Sequence, residues 1–232
     1  MRLRERASTK IERGDFLRVP YIGGTTANEG TFFSSSVRLR GLSGQAETDA
    51  FVNYIENLVI DNSTLTNNVV SAFVEQYPAN DPTAGAPFTT GDSLFDRTAA
   101  FYTNEMFLSV RRFFFQHAAA RQPMFAFIFR EFIPGNDISK GVTHGMELEL
   151  FFGPPSLPAN ASIDSGLQTQ MRDFYINFVN DLNPGPQWEP FNPRSPRVLQ
   201  LQSDNVTMIP DDWDSERVDF CNSLKVMAEF EK

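Results

Sequence analysis

Apolar residues follow two kinds of spacing along the chain, and together they predict alternating helices and strands. Steps of three and four, typical of one buried helix face, recur in four stretches. These predicted helices cover residues 47–60, about 64–76, about 92–119 and 167–182. The unbroken apolar run MFAFIF at residues 124–129 instead predicts a strand that is buried on both faces, as in a parallel sheet.

Three further strands and a closing helix complete this pattern. Residues 16–24 predict a strand that runs into a glycine turn, with Pro20 near its start because proline cannot donate to a β-ladder. Residues 198–201 and 206–209 predict two strands around a polar turn, and residues 211–230 predict the last helix. Strand, helices, buried strand and helix, in this order, indicate the α/β class.

The longest predicted helix, residues 92–119, carries an apolar stripe that we expect to face the core. Its members are Phe95, Ala99, Tyr102, Met106, Val110 and Phe113 or Phe114. His117 falls on this stripe, which favours a satisfied, partly buried side chain over a catalytic one. Arg111 and Arg112 are interpreted as snorkelling side chains, whose stems pack while their charged ends reach water. Loops rich in proline are expected at residues 78–87 and around Pro154, Pro155 and Pro158.

Composition and charge narrow the classes of function. Hydrophobic residues make up 41% of the 232-residue chain and include 23 phenylalanines, which is ample for a folded core. The formal net charge of −9 argues against nucleic acid as a partner and against docking on anionic membranes, because both rest on basic surfaces. No stretch approaches the roughly 18 apolar residues of a membrane span, so no transmembrane segment is expected.

The cysteine count and the Asn-x-Ser/Thr triplets indicate whether the protein is secreted or cytosolic. One cysteine, Cys221, cannot form an internal disulfide. Asn62, Asn160 and Asn205 begin Asn-x-Ser/Thr triplets in polar, turn-like sequence, which suits a secreted glycoprotein, although such triplets also arise by chance and a cytosolic location stays open. Residues 1–13 are charged and unlike a signal peptide, so the signal of a secreted parent protein would lie upstream.

Two segments place polar, reactive side chains between glycines, each just after a predicted strand. The first, residues 19–33, reads VPYIGGTTANEGTFF, and the second, residues 141–152, reads GVTHGMELELFF. Catalytic groups gather at the carboxyl ends of strands in open α/β sheets. Both segments are therefore candidates for one functional site.

The two segments resemble two signatures of the type-B carboxylesterases, V-P-x-x-x-G-x-x-x-D/N-E-G-T-x-F and H-G-x-E-x-x-x-x-F. Residues 187–191, QWEPF, and residues 216–221, ERVDFC, resemble that family's late tryptophan-proline segment and its C-terminal arginine-to-cysteine stretch. The resemblance implies the C-terminal part of an α/β-hydrolase fold, a partial mixed sheet flanked by helices. Residues 1–232 would then form part of a single domain whose N-terminal half is missing.

Carried over residue by residue, the resemblance implies that Glu29 is the acid and His144 the general base of a catalytic triad. A base is needed because a serine hydroxyl is a weak nucleophile, and a buried carboxylate fixes the imidazole tautomer. Glu147 and Gly145 would shape the histidine loop. The implied substrate is a small-molecule or lipid ester, with no cofactor and no metal, since neither histidine is spaced with acids or Cys221 as a zinc site requires.

The serine of the triad is not found. It should lie in a G-x-S-x-G elbow, and the nearest approach, GLSGQ around Ser43, lacks the last glycine and follows Glu29 instead of preceding it. The glycine-rich oxyanion loop is also missing, so the nucleophile is expected in the absent N-terminal half. In some family members the cysteine that corresponds to Cys221 is disulfide-bonded, but its partner is not in this sequence.

Two functions from different classes follow. The first is a hydrolase of carboxylic esters that works through an acyl-enzyme, to which this chain contributes the acid and the histidine. The alternative is a non-catalytic, cholinesterase-like binding or adhesion domain, or an inactive fragment. The residue at the upstream elbow separates them. Lipase, esterase and cholinesterase specificity and the oligomeric state stay open, and the strand at residues 124–129 is expected to lack a neighbour on one side, which predicts poor solubility.

Overall fold

The computed structural model describes residues 5–152, 165–230 and 232, which form a mixed four-stranded sheet flanked by helices. The strands are β1 (Tyr21–Thr26), β2 (Met124–Phe129), β3 (Arg197–Leu201) and β4 (Thr207–Pro210), in that spatial order. β1 and β3 run parallel to β2, while β4 runs antiparallel to β3. The predicted α/β class is therefore confirmed.

The helices, in chain order, have the following bounds. They are α1 (Ala7–Arg13), α2 (Gly30–Phe33), α3 (Gly44–Glu56), α4 (Asn67–Gln76), α5 (Ser93–Tyr102), α6 (Ser109–Ala118), α7 (Met146–Phe152), α8 (Ser165–Asp181), α9 (Ser215–Cys221) and α10 (Leu224–Glu229). Short 3₁₀ turns occur at Ser35–Val37, Asn62–Thr64 and Ile138–Lys140, and a π-helical segment, Thr103–Leu108, joins α5 to α6.

The central strand β2 confirms the prediction made from its unbroken apolar run. All six of its residues are buried, because β1 and β3 hydrogen-bond to its two edges and helices cover both faces. Phe125, Phe127 and Phe129 pack on one face against α7, α8 and Trp188. Met124, Ala126 and Ile128 pack on the other face against α6. Helices on both faces are what a parallel sheet requires.

The strand at residues 16–24 begins later than expected and ends later. β1 starts at Tyr21, directly after Pro20, because proline has no N–H to donate to the ladder. Leu17 and Val19 consequently lie outside the sheet and are exposed. The two late strands form a hairpin as predicted, and Asp204 occupies its turn with a φ of 57°.

The long helix is continuous in space but is not α-helical throughout, and the predicted stripe is partly wrong. The π-helical segment between α5 and α6 changes the number of residues per turn, so a face that is buried before it rotates away after it. Met106 and Val110 are 37% and 46% exposed. The buried positions at and beyond this segment include Leu108, Phe115 and Ala118.

The prediction that Arg111 and Arg112 snorkel into water is wrong. Both guanidinium groups are buried, and both contact Asp211, with Arg111 Nη1 2.7 Å and Arg112 Nε 2.9 Å from its carboxylate oxygens. The side chain of Asp211 is fully buried. Burial alone would raise the pKa of Asp211, but the hydrogen bonds and charges of Arg111 and Arg112 outweigh it and hold that pKa below its usual value.

The predicted closing helix, residues 211–230, is two helices, α9 and α10. The first of them begins at Ser215 rather than at residue 211, because Asp211 pairs with the buried arginines and Asp214 has a left-handed φ of 53°. It breaks at Asn222, after which Ser223 caps α10 by accepting a hydrogen bond from the amide of Val226. Cys221, at the end of α9, is a buried free thiol in the helical cluster around Phe73 and Phe101.

The edge strands of the described sheet are β1 and β4, so the strand at residues 124–129 does not lie at an open edge as expected. β2 has a neighbour on each side, whereas β1 pairs with β2 alone among the described strands. Tyr21, the first residue of β1, is 41% exposed, and its ring contacts Phe114 one helical turn from the exposed Val110. A strand whose outer edge is unpaired, beside apolar side chains, is a template for further pairing.

Some expectations lie outside the described residues. Asn160 and the loop with Pro154, Pro155 and Pro158 fall in that part of the chain. Asn62 and Asn205 are described, and both are exposed. None of the helices in the described ranges has the length and apolar character needed to cross a membrane.

We predict that replacing Asp211 by Asn destabilises the chain by about 3–5 kcal/mol, because it leaves two buried arginines without a counter-charge. Chemical denaturation at neutral pH measures this change. The matched control is Asp219→Asn, which neutralises an exposed carboxylate eight positions later. Equal stabilities of the two variants would show that the buried ion pair contributes nothing.

The same carboxylate gives a direction for pH dependence. A folded-state pKa below the unfolded-state value means that the stabilisation is present above the unfolded-state pKa and is lost as the pH falls through the folded-state value. We therefore expect the stability gap between the parent chain and Asp211→Asn to narrow in acid, as measured by denaturation at a series of pH values.

Candidate active site

The two side chains singled out in the sequence, Glu29 and His144, meet at the carboxyl edge of the sheet. Glu29 lies three residues beyond β1, and His144 lies in the loop that follows β2. His144 Nδ1 is 2.6 Å from Glu29 Oε2, although the residues are 115 positions apart in sequence. The Glu29 side chain is 5% exposed and that of His144 46% exposed, so the imidazole bridges a buried acid and the protein surface.

Two hydrogen bonds hold the Glu29 carboxylate in place. Oε2 contacts His144, and Oε1 accepts from the backbone N–H of Thr26 at 2.7 Å. Burial raises the pKa of Glu29, while the Thr26 amide and His144 pull it back down in part. The acid is thus oriented by two donors at a position where its charge is costly.

The loop that carries Glu29 and the loop that carries His144 are joined by the backbone and the side chain of Asn28. The Asn28 amide donates to Val142 O at 2.9 Å, and the Val142 amide donates to Asn28 Oδ1 at 3.0 Å. A separate parallel bridge pairs Asn28 with Thr143, beyond the ends of β1 and β2. Gly141 permits this approach, because its φ is 56° and a Cβ there would lie 2.5 Å from Asn28 Oδ1.

The hydroxyl of Thr31 also links the two loops. It lies 2.8 Å from Asn28 O, 2.7 Å from Lys140 O and 2.8 Å from the Thr143 hydroxyl. Sequence reasoning quoted Asn28 and Thr31 within the acid segment but gave neither a role. Their signal was the short polar run around Glu29, whose side chains bond to the other loop.

Gly30 packs the turn that carries Glu29 closely against the long helix. Its amide donates to the Thr103 hydroxyl at 2.9 Å, at the point where α5 passes into the π-helical segment. A Cβ on Gly30 would lie 2.1 Å from the Ala99 carbonyl oxygen, which no side chain can satisfy without moving the backbone. Glycine is required here for close approach rather than for an unusual φ.

Two aromatic rings enclose the imidazole of His144. The ring centroids of Phe33 and Phe107 lie 5.3 Å and 5.1 Å from it, and Phe33 also stacks on Tyr102 at 4.8 Å. Phe33 belongs to α2 and Phe107 to the π-helical segment. Sequence reasoning missed Phe107, because its distance along the chain from both motifs gave no signal.

Gly145 and Glu147, expected to shape the histidine loop, lie where the loop turns into α7. Gly145 has a left-handed φ of 78°, which glycine adopts without strain. Burial raises the pKa of Glu147, and the nearby charge of Glu29 adds to that rise. Oε2 of Glu147 is buried without a hydrogen-bond partner in the described structure.

The other candidates lie apart from this site. Ser43, in the nearest approach to a serine elbow, is exposed just before α3, and no serine of the described chain is hydrogen-bonded to His144. His117 Nδ1 lies 2.8 Å from the Phe113 carbonyl oxygen, in the partly buried, satisfied state predicted for it. The described residues contain no group of three or more acids, histidines or cysteines that could hold a metal ion.

Comparisons with known proteins were made on the sequence and on the fold. The model of the carboxylesterase family matches residues 3–221. The crystal structure of Aspergillus niger EstA is similar with a TM-score of 0.78 at 19% identity, and a thermophilic pNB esterase with a TM-score of 0.68 at 19% identity. The first match covers 98% of this chain and 44% of EstA, the second 94% of this chain and 41% of that esterase.

These structural matches show the α/β-hydrolase fold, and the chain spans less than half the length of either protein. No curated protein sequence matches the chain.

We predict that Glu29→Gln stabilises the chain at pH 8 and that the gain shrinks as the pH falls. A folded-state pKa above the unfolded-state value means that stability decreases as the pH rises between the two, so the ionised, buried acid is a cost at high pH. Gln keeps an oxygen for the Thr26 amide and removes the charge. Thermal melts across the pH range measure the difference.

The control is Glu12→Gln, which neutralises an exposed carboxylate of α1. A loss of stability in Glu29→Gln at pH 8 that exceeds the control would mean that the bond to His144 outweighs the cost of burial.

Proposed function

The chain belongs to the carboxylesterase family, and on that premise we propose that it supplies the acid and the base of a carboxylic-ester hydrolase that acts through an acyl-enzyme. The observation that carries the proposal is the 2.6 Å contact between His144 Nδ1 and the buried carboxylate of Glu29, with the His144 side chain 46% exposed. A base oriented from one side and open on the other is what an attacking hydroxyl needs.

In the proposed reaction, His144 Nε2 removes the proton of a serine hydroxyl as the serine oxygen attacks the ester carbonyl. The imidazolium then gives that proton to the alcohol that leaves, while the acyl group stays on the serine. Water repeats the sequence and releases the carboxylic acid. Throughout, the Glu29 carboxylate accepts a hydrogen bond from Nδ1–H, which fixes the tautomer and stabilises the positive charge of the ring.

The raised pKa of Glu29 does not conflict with this role. The hydrogen bonds from Thr26 and His144 favour its ionised form, and they strengthen when the imidazole becomes charged. Phe33 and Phe107 keep water from two sides of the ring. Electrostatic attraction between acid and base is larger in such surroundings than in water.

We propose that the serine comes from outside this chain and that a parallel strand on the open edge of β1 presents it. β1 ends at the edge of the sheet where Glu29 and His144 meet, so a parallel neighbour would end there as well. The exposed Tyr21 and Val110 lie beside that edge, since the ring of Tyr21 contacts Phe114 one helical turn after Val110, and further structure would cover them. The 44% share of EstA that the chain spans supports a larger protein.

Secretion of the parent protein is a further part of the proposal. The exposed positions of Asn62 and Asn205 are compatible with glycans, and treatment of the secreted protein with an N-glycosidase tests for them. A protein that carries no glycan when it is expressed in a secreting host of its own kind would count against this location.

The decisive experiment joins the chain to the upstream part encoded with it and assays hydrolysis of p-nitrophenyl acetate and butyrate. We expect His144→Ala to lower kcat by about 10⁴-fold or more, because the base and its proton transfers are lost. His117→Ala, which removes the other histidine, should leave the rate nearly unchanged. We expect the 232-residue chain alone to be inactive.

Full activity of His144→Ala would overturn the proposed role of that residue. A completed protein that has no serine at the elbow and no esterase activity would instead support a binding or adhesion domain.

A further inference from the structure

A cavity of about 710 Å³ lies behind the catalytic loops, on the face of the sheet that carries Ile128 and Arg130. The middle of the long helix forms its floor, and residues 83–88 and 213–217 form its walls. His144 does not line it, whereas Asn28 and Val142 do. The volume is within the range of sites that bind small organic molecules.

Part of the cavity lining is apolar. Phe88 and Phe132 face each other there with ring centroids 5.3 Å apart, and Ile128 and Ala99 continue the surface. Such a surface gains free energy when it covers an apolar body of a ligand and excludes water from it.

The lining also includes one cation, Arg130, that has no counter-charge among the described residues. Arg130 Nη1 donates to Gln200 Oε1 at 3.0 Å, and its guanidinium lies 5.5 Å from the centre of the Trp213 ring. No carboxylate of the described chain lies within 4.0 Å of Arg130, and burial lowers its pKa. A half-buried guanidinium held by a neutral amide and an aromatic ring retains donors for an anion.

The other charged groups around the cavity are already engaged. Arg217 contacts Asp81 at 2.6 Å and Asp214 at 3.7 Å. Glu131 Oε2 accepts from the Ser203 amide at 2.8 Å. Because Glu131 and Asp214 also line the cavity, its charge suits an anion of a single charge rather than a dianion such as phosphate.

We propose that this cavity binds a monocarboxylate with an apolar body, whose carboxylate pairs with Arg130 and whose body lies against Phe88 and Phe132. A planar guanidinium matches a carboxylate with two parallel hydrogen bonds. The acid released from an ester belongs to this chemical class, and that link alone rests on the proposed function. Because Asn28 and Val142 join the two catalytic loops, an occupant would contact the residues that hold Glu29 and His144 in register.

Titration calorimetry of the 232-residue chain with octanoate, compared with octanamide, tests the site without any need for the serine. The two probes share an apolar body and differ in the charge that Arg130 recognises. We expect octanoate to bind and octanamide to bind about tenfold more weakly or not at all. Octanoate should also change the fluorescence of Trp213, whereas Trp188, the other tryptophan, lies in the core on the opposite face of the sheet.

Arg130→Gln removes the positive charge from the cavity. The matched control, Arg194→Gln, removes the charge of an exposed arginine. We expect the first change to weaken octanoate binding by about tenfold or more and the second to leave it unchanged. Equal binding of octanoate and octanamide, or equal binding by the two variants, would overturn the proposal. If Arg130→Gln does not fold, the comparison of octanoate with octanamide on the parent chain still tests the carboxylate site. The esterase activity of the completed protein tests the proposed function separately.

Discussion

The parallel register of β1 on β2 is the constraint on which the candidate site depends. It pairs Tyr21 with Met124 and continues to Thr26 opposite Phe129, and a separate bridge between Asn28 and Thr143 then joins the loops that follow the two strands. A slip by one residue would turn the side chains of β1 to the opposite face and separate the two loops. The contact between Glu29 and His144 thus depends on strand pairing as well as on the bonds between the two loops. Burial of every residue of β2 fixes the register, since each side chain has one face on which it fits.

Much of this arrangement could be predicted from the sequence, because the relevant signals are local. An unbroken apolar run means a strand covered on both faces, as β2 is, and glycine-flanked polar segments after strands mean a site at their carboxyl ends. Glu29 and His144 follow from these two rules and from the family's motifs. The start of β1 follows from Pro20, although the predicted strand ran through it.

What the sequence could not reveal depends on distant partners or on small changes of helical geometry. Nothing near Arg111 and Arg112 indicates that Asp211, about a hundred positions later, neutralises both. The π-helical segment displaces Met106 and Val110 from the face that their spacing predicts, and the same displacement brings Phe107 to the imidazole of His144. A period of three and four assumes a uniform helix, so one irregular turn rotates every later position.

The close approach of Gly30 to the long helix also has a consequence for motion. Its amide hydrogen is held by the Thr103 hydroxyl, and its Cα lies so near the Ala99 carbonyl that water has no space between them. That hydrogen can exchange with solvent only when the acid turn and the helix separate. The hydrogen-exchange rate of the Gly30 amide therefore reports how often the turn that carries Glu29 separates from the long helix. Static distances give no information on this timescale.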